Sequence, residues 1–189
     1  MKPGTRALGV AESYDGSREA EASTLAGAVV RADRAVDGVG FERCTVGGTD
    51  ATGSVRSLTD RLARDDVRYV FLAGIALSWY NVVDLHGVYD AVERPVLSIS
   101  FEESDGLDAA IAEAFEGEAL ERRLELYRDQ PPRRRVTVND QDVFVRCVGA
   151  DEETAERLVR GFTPAGGRPE PLRVARQVAR AGHRYRFEE

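Results

Sequence analysis

Three runs of strand character stand at the front of the chain before any helical pattern begins. Leu8–Ala11 is short and apolar, Thr24–Ala32 carries Val29 and Val30 near its end, and Val36–Val46 alternates through Val39, Phe41, Arg43 and Thr45. Ser13, Asp15 and Gly16 mark a turn after the first run, and Gly47-Gly48 breaks the third. The close spacing of these runs argues for an antiparallel meander.

Beyond Gly48 the periodicity changes. Thr49 or Asp50 can cap a helix in which Val55, Leu58, Leu62 and Ala63 recur at helical spacing. Val67–Leu72 is a continuous apolar run, the pattern of a strand buried on both faces, and Gly74 ends it. Asn81–Val92 reads as a helix, Pro95–Phe101 as a strand, and Leu107–Phe115 and Ala119–Tyr127 as helices. After the Pro131-Pro132 break, Val136–Val138 and Val143–Val148 suggest a hairpin around Asn139-Asp140. Helices over Glu152–Phe162 and Leu172–Ala181 follow, with Gly161–Pro171 the expected surface loop. Three antiparallel strands, then helix, buried strand, helix and strand, is the ribonuclease-H-like order. The fold class expected is α/β, a mixed sheet of three antiparallel strands and then parallel ones, flanked by helices. A flavodoxin-like sheet would alternate strand and helix from the start.

A chain of 189 residues suits one domain over 1–189 and can bury a core without disulfides. No apolar run reaches membrane-span length and the start has no signal-peptide pattern, so the expected compartment is the cytoplasm and no membrane partner is expected. Cys44 and Cys147 lie in β-like apolar stretches and read as buried thiols, and His86 and His183 have no second ligand at metal spacing. The net charge is −7, yet only Lys2 is lysine among the 26 basic residues. Net charge speaks to solubility and partners, not to fold.

Four stretches carry a resemblance: Leu8-Gly9-Val10-Ala11-Glu12-Ser13; Thr45 to Thr52 through Gly47-Gly48-Thr49-Asp50; Leu72-Ala73-Gly74-Ile75 with Tyr80-Asn81-Val82-Val83-Asp84; and Pro169-Glu170-Pro171-Leu172-Arg173-Val174-Ala175. In this order they resemble the archaeal endonuclease-V-like family of unknown function, over nearly the whole chain. The resemblance implies a ribonuclease-H-like fold and kinship to enzymes that cut nucleic acid beside deaminated bases, with DNA or RNA as partner. It also implies metal-assisted phosphodiester hydrolysis, in which carboxylates from neighbouring strands hold Mg or Mn.

The chain departs from the family pattern where that chemistry would sit. The pattern has Asp-Asp after the first strand, and this chain has Ala11-Glu12. It has Asp-Gly at the end of the fourth, and this chain has Ala73-Gly74. A methyl group cannot bind Mg²⁺. Glu12 and Asp50 remain as metal candidates, and Glu12, Asp50 and Glu102 form one replacement catalytic set. The alternative for Glu102-Glu103 is a solvated helix start.

Trp79 and Tyr80 follow the fourth strand, where an exposed aromatic pair would stack on a base; the alternative is that they cover the core while Asn81 caps the next helix. Arg173, Arg176 and Arg180 recur at helical spacing, Arg168, Arg184 and Arg186 extend the basic segment, and Arg133-Arg134-Arg135 makes a second cluster. Such residues contact phosphates, or pair with acidic neighbours on a solvated face. Glu170 can hold Arg173 toward a ligand or pin the last helix. Trp79, Tyr80, Asn81, Glu170, Arg173, Arg176 and Arg180 are thus the candidate substrate residues. Three functions stay open: a nucleic-acid binder with lost or weakened metal-dependent phosphodiesterase activity, an active divergent Mg/Mn-dependent endonuclease, or a non-catalytic protein-interaction domain.

Overall fold

The computed structural model describes residues 1–14, 16, 20–62 and 65–187, with the backbone alone at 187. Asp15, expected in the first turn, and Ala63, expected on the first helix, lie outside the described residues. The chain runs β1 (Arg6–Ser13), β2 (Ala22–Arg31), β3 (Val36–Thr45), α1 (Ala51–Leu62), β4 (Val67–Leu72), β5 (Ala76–Leu77), β6 (Asn81–Val82), α2 (Leu85–Val92), β7 (Val96–Ser100), α3 (Asp108–Ala114), α4 (Gly117–Arg128), β8 (Arg134–Val138), β9 (Gln141–Val148), α5 (Glu152–Gly161) and α6 (Glu170–Phe187). One sheet has the order β3-β2-β1-β4-β7-β9-β8, and β5 and β6 form a separate small hairpin. The meander β1-β2-β3 is antiparallel, β4 and β7 join β1 in parallel, and β9 and β8 close the far edge antiparallel. This is the ribonuclease-H-like arrangement that the strand order predicts. Among the described residues no helix is long and apolar enough to cross a membrane.

Side chains alternate across β1 with the pleat, and that alternation decides what the site can be. Leu8 and Val10 enter a core with Val55 and Leu58 of α1 and Leu85 and Val88 of α2. Ala7 enters the opposite core with Leu158 and Phe162 from the α5 side and Leu172 of α6, while Ala11 meets Ala175 of α6. Each fully buried Leu, Val or Phe contributes roughly 1.5–3 kcal/mol through apolar surface removed from water. Gly9 faces α6 as well, and a Cβ there would overlap the Pro171 carbonyl. The missing side chain lets α6 approach β1 at backbone distance.

The helix expected over Asn81–Val92 begins only at Leu85, because Ser78, Trp79 and Tyr80 all have positive φ and Asn81–Val82 is strand. Asp84 caps it, accepting from the His86 N–H. The helix after β7 starts at Asp108, within one residue of the expected Leu107, and Glu102 and Glu103 lie in the exposed loop before it and not at its start. The segment 161–171 is not a surface loop throughout: Phe162, Thr163, Gly167 and Pro169 are buried. Asn139, in the β8–β9 turn, donates to the carbonyls of Thr163 and Gly166 and ties the segment down. Cys44 is buried on the α1 side and Cys147 is partly buried against the α5 side, both as free thiols. Burial pushes their pKa values up to about 12 and about 11.

Candidate functional site at the carboxyl edge of the sheet

β1, β4 and β7 all point their carboxyl ends to one edge, the place where α/β sheets bind ligands. Ala11 and Ala73 follow the paired residues Val10 and Leu72 there, and the Ala73 N–H donates to the Val10 carbonyl at 3.0 Å. Both alanines belong to a small apolar cluster with Ala28, Val30 and Ala175, and Ala11 is 1% exposed. The floor beneath α6 is therefore methyl groups.

Glu12 does not refill that floor. One residue along a strand reverses the side-chain direction, so Glu12 projects to the α1 face. Its carboxylate accepts from the Ser78 N–H at 3.0 and 3.1 Å and from the Ser78 hydroxyl at 2.7 Å. Ser78 in turn makes a short contact with the Ser23 hydroxyl. Ser78, Trp79 and Tyr80 have φ values of 34°, 60° and 56°. Each left-handed non-glycine residue costs roughly 1 kcal/mol or more, and such strain persists only where the surroundings over-determine it. Glu12 and the 2.7 Å bond from the Gly47 N–H to the Ser78 carbonyl supply that constraint.

Asp50 serves the same hairpin. It accepts from the Thr45 hydroxyl at 2.7 Å and from Asn81 Nδ2 at 2.6 Å. Burial raises its carboxyl pKa, but the hydrogen bonds from Thr45 and Asn81 outweigh this and leave it lowered. Asn81 is fully buried, and its Oδ1 accepts from the Ala51 N–H at 3.0 Å. It therefore caps α1, not the helix that follows it, and its amide is spent on protein partners. Glu102 lies elsewhere, on a rim beyond β7, its carbonyl accepting from Arg133. Among the described residues no three His, Cys, Asp or Glu side chains come together as a metal-holding group, so Glu12, Asp50 and Glu102 do not form one site. The donor set does not fit Mg²⁺ or Mn²⁺, which need converging oxygen ligands.

Trp79 and Tyr80 meet edge to face at 5.5 Å, and Tyr80 meets Phe115 at 6.5 Å. Arg123 stacks over Phe115 at 3.8 Å and donates to the Gly47 and Gly48 carbonyls. Tyr80 thus packs on the core while Trp79, partly exposed, remains at the surface of the cluster.

A cavity of about 330 Å³ opens between the ends of β4 and β7, lined by Gly74, Ser98, Ser100, Glu102, Tyr127, Arg133, Phe144 and Arg146. Arg133 lies 4.0 Å over the Phe144 ring and donates to the Ser100 hydroxyl at 3.1 Å. Burial and the neighbouring Arg146 lower its pKa. Arg146 stacks on Tyr127 at 5.2 Å and donates to its hydroxyl. The sequence reading passes over Ser98, Ser100 and Arg146. The available signal is Ser98 and Ser100 alternating with apolar residues in Val96–Ser100, and Arg146 within the apolar run Val143–Val148.

On the α6 side, Arg168 stacks 3.6 Å over Phe101. Desolvation, then Arg176 and Arg180, lower its pKa. Arg173 behaves differently. It makes a two-pronged pair with Glu170, at 2.5 and 2.7 Å, and Glu170 has 12% side-chain exposure. That pair lowers the Glu170 pKa, aided by Arg34 of the β2–β3 turn, beside the start of β1 and away from Glu12. The pair pins the beginning of α6.

The comparisons with known proteins agree with this architecture. A family model described as endonuclease dU matches residues 3–182. A UPF0215 protein of Pyrobaculum aerophilum is 33% identical over 165 residues, covering 86% of this chain and 87% of that protein. The crystal structure of a protein of unknown function from Archaeoglobus fulgidus superposes with a TM-score of 0.80 at 26% identity, covering 93% of this chain and 96% of that one. Endonuclease V from Ciona intestinalis, solved in complex with an inosine-containing DNA, superposes with a TM-score of 0.63 at 11% identity, covering 96% and 86%. This last similarity is one of fold.

Proposed function

The chain belongs to the endonuclease dU family, and on that premise we propose that it binds a DNA or RNA strand at the carboxyl edge of its sheet, with metal-dependent phosphodiesterase activity lost or weakened. The observation that carries this reading is the alanine floor. Two-metal hydrolysis needs carboxylates to hold the ions that activate water and stabilise the leaving oxygen. Ala11 and Ala73 offer neither charge nor lone pairs, and Ala175 covers them. Glu12 and Asp50 are already hydrogen-bonded to the hairpin on the other face.

Binding is supported by what remains. The cavity beside Gly74 is of a size to take one base, with Tyr127 and Phe144 as apolar walls and Ser98 and Ser100 as hydrogen-bonding groups. Trp79 stands at a turn whose strain Glu12 maintains, a setting that points to a role for the turn itself. Of the sequence candidates, Trp79, Arg176 and Arg180 stay with the binding surface, Tyr80 belongs to its support, and Asn81, Glu170 and Arg173 hold the fold.

The family description makes deoxyuridine the first modified base to test, and the Ciona complex makes inosine the second. Labelled single- and double-stranded DNA carrying deoxyuridine, and DNA and RNA carrying inosine, are incubated with the protein in Mg²⁺, Mn²⁺ or chelator. The expected outcome is a shifted, uncut strand in all three. Cleavage beside the modified base in Mg²⁺ or Mn²⁺ alone would overturn the loss of catalysis.

A further inference from the structure

We propose that Arg168, Arg176 and Arg180 form a phosphate site that holds a phosphodiester of a nucleic-acid strand directly, with no divalent ion between. The inference rests on the binding reading above and names the groups that would grip the backbone.

Arg168 comes from the loop before α6, and its guanidinium lies flat on Phe101 at 3.6 Å. Phe101 follows β7 on the face that carries Ala73, so the cation is fixed at the edge beside the alanine floor. Stacking immobilises the guanidinium plane while leaving its edge donors uncommitted to the ring. One of them, Nη1, is buried and has no hydrogen-bond partner. A buried donor without a partner is an uncompensated polar group, and a small side-chain rotation that brings it to a phosphate oxygen supplies a partner of the right charge.

Arg176 and Arg180 lie four residues apart on α6, neighbours on its surface, and both are exposed. No salt bridge among the described residues involves any of the three. Arg173, on the same helix, has Glu170 as its partner. In a chain of net charge −7, Arg176 and Arg180 both act electrostatically on Arg168, and none of the three has a carboxylate in salt-bridge contact among the described residues, so together they are an unbalanced positive site. A phosphate would relieve their mutual repulsion and supply the missing partner for Nη1. The same edge has lost the carboxylates that would carry a metal, so phosphate charge is met by guanidinium groups instead of by ions.

The test is fluorescence anisotropy of a labelled single strand in chelator, across a salt series. The unaltered protein is compared with Arg168→Gln/Arg176→Gln/Arg180→Gln and with a control, Arg122→Gln/Arg128→Gln/Arg157→Gln, which removes the same charge from the surfaces of α4 and α5. The expected result is at least about tenfold weaker binding for the first variant, and a log–log salt slope shallower by about 2, since each lost phosphate contact on a single strand is worth about 0.7. The control should bind like the unaltered protein. Arg168→Lys, which keeps charge but not the planar fork, should fall between. Melting curves establish that each variant is folded. Unaltered protein that binds while the first variant binds equally well overturns the site and leaves the binding reading standing. Equal weakening by the control also overturns it, since net charge alone would then explain the loss. Binding abolished by chelator removes the ion-free clause, and displacement by orthophosphate at matched ionic strength reassigns the site to a free anion. Unaltered protein with no salt-dependent affinity for any strand sinks both proposals.

Discussion

The two faces of the sheet at its carboxyl edge differ in what they do with charge. On the α1 face, Glu12 and Asp50 are drawn into the hairpin over Ala76–Val82 and hold three left-handed residues in place. On the α6 face, Ala11 and Ala73 present methyl groups and the nearby charges are arginines. Carboxylates close together in sequence are thus not interchangeable. A strand fixes the face on which each acts, and a neighbour one residue along serves the opposite layer.

The contrast can be broken first at its closest packing point. Gly9→Ala puts a Cβ inside the Pro171 carbonyl, and backbone cannot yield as a flexible side chain can. The expected loss is about 3 kcal/mol, lowering the melting temperature by roughly 6–12 °C. A variant of unchanged stability would mean that α6 does not rest on β1. Next, Glu12→Ala removes the bonds to Ser78 and leaves the strained turn without its anchor, at about 2–3 kcal/mol. Trp79 fluorescence should shift in the same variant, because the turn that orients the ring relaxes. If Glu12 were instead a metal ligand, stability would hold and only Mn²⁺ affinity would fall.

A smaller effect is expected at Asp50. Its folded carboxyl is lowered by Thr45 and Asn81 against the opposing effect of burial. Its contribution is therefore fully present above the ordinary value of 3.8 and is lost as pH falls through the lower folded pKa. Asp50→Asn should cost about 1 kcal/mol at neutral pH, with the difference from the unaltered protein shrinking in acid melts. A gap that widens in acid would contradict the hydrogen-bonding assignment. The smallest change is expected from Arg173→Ala. A pair whose Arg173 side is exposed is worth about 1 kcal/mol, so the melting temperature should fall slightly while the salt slope of strand binding stays fixed. A flattened slope would move Arg173 into the phosphate site.

Much of the architecture is legible in the residue pattern, and the reasons are local. The three front strands and Val67–Leu72 declare themselves by alternation or by continuous apolarity, and the helices by spacing of Val55, Leu58 and their successors. The hairpin before α2 is not legible. Trp79 and Tyr80 have no local preference for left-handed backbone, and the group that holds the turn is Glu12, 66 residues away from Ser78. The alanines at 11 and 73 stand out only against the family resemblance. That Glu12 faces the opposite layer from Ala11 requires only strand periodicity, whereas the place of Glu102 depends on the path of the loop between β7 and α3. The cavity stays hidden because Ser98, Tyr127, Phe144 and Arg146 come from separate elements that meet only in the folded chain.

Calorimetric titration of Mn²⁺ into the unaltered protein tests most directly whether the edge is a cation-lined surface and not a metal centre. Ala11→Asp/Ala73→Asp serves as the positive control, since it restores two oxygen donors on the α6 face. The account predicts no saturable heat for the unaltered protein and saturable binding for the double variant. Tight binding by the unaltered protein that disappears in Glu12→Gln would contradict it.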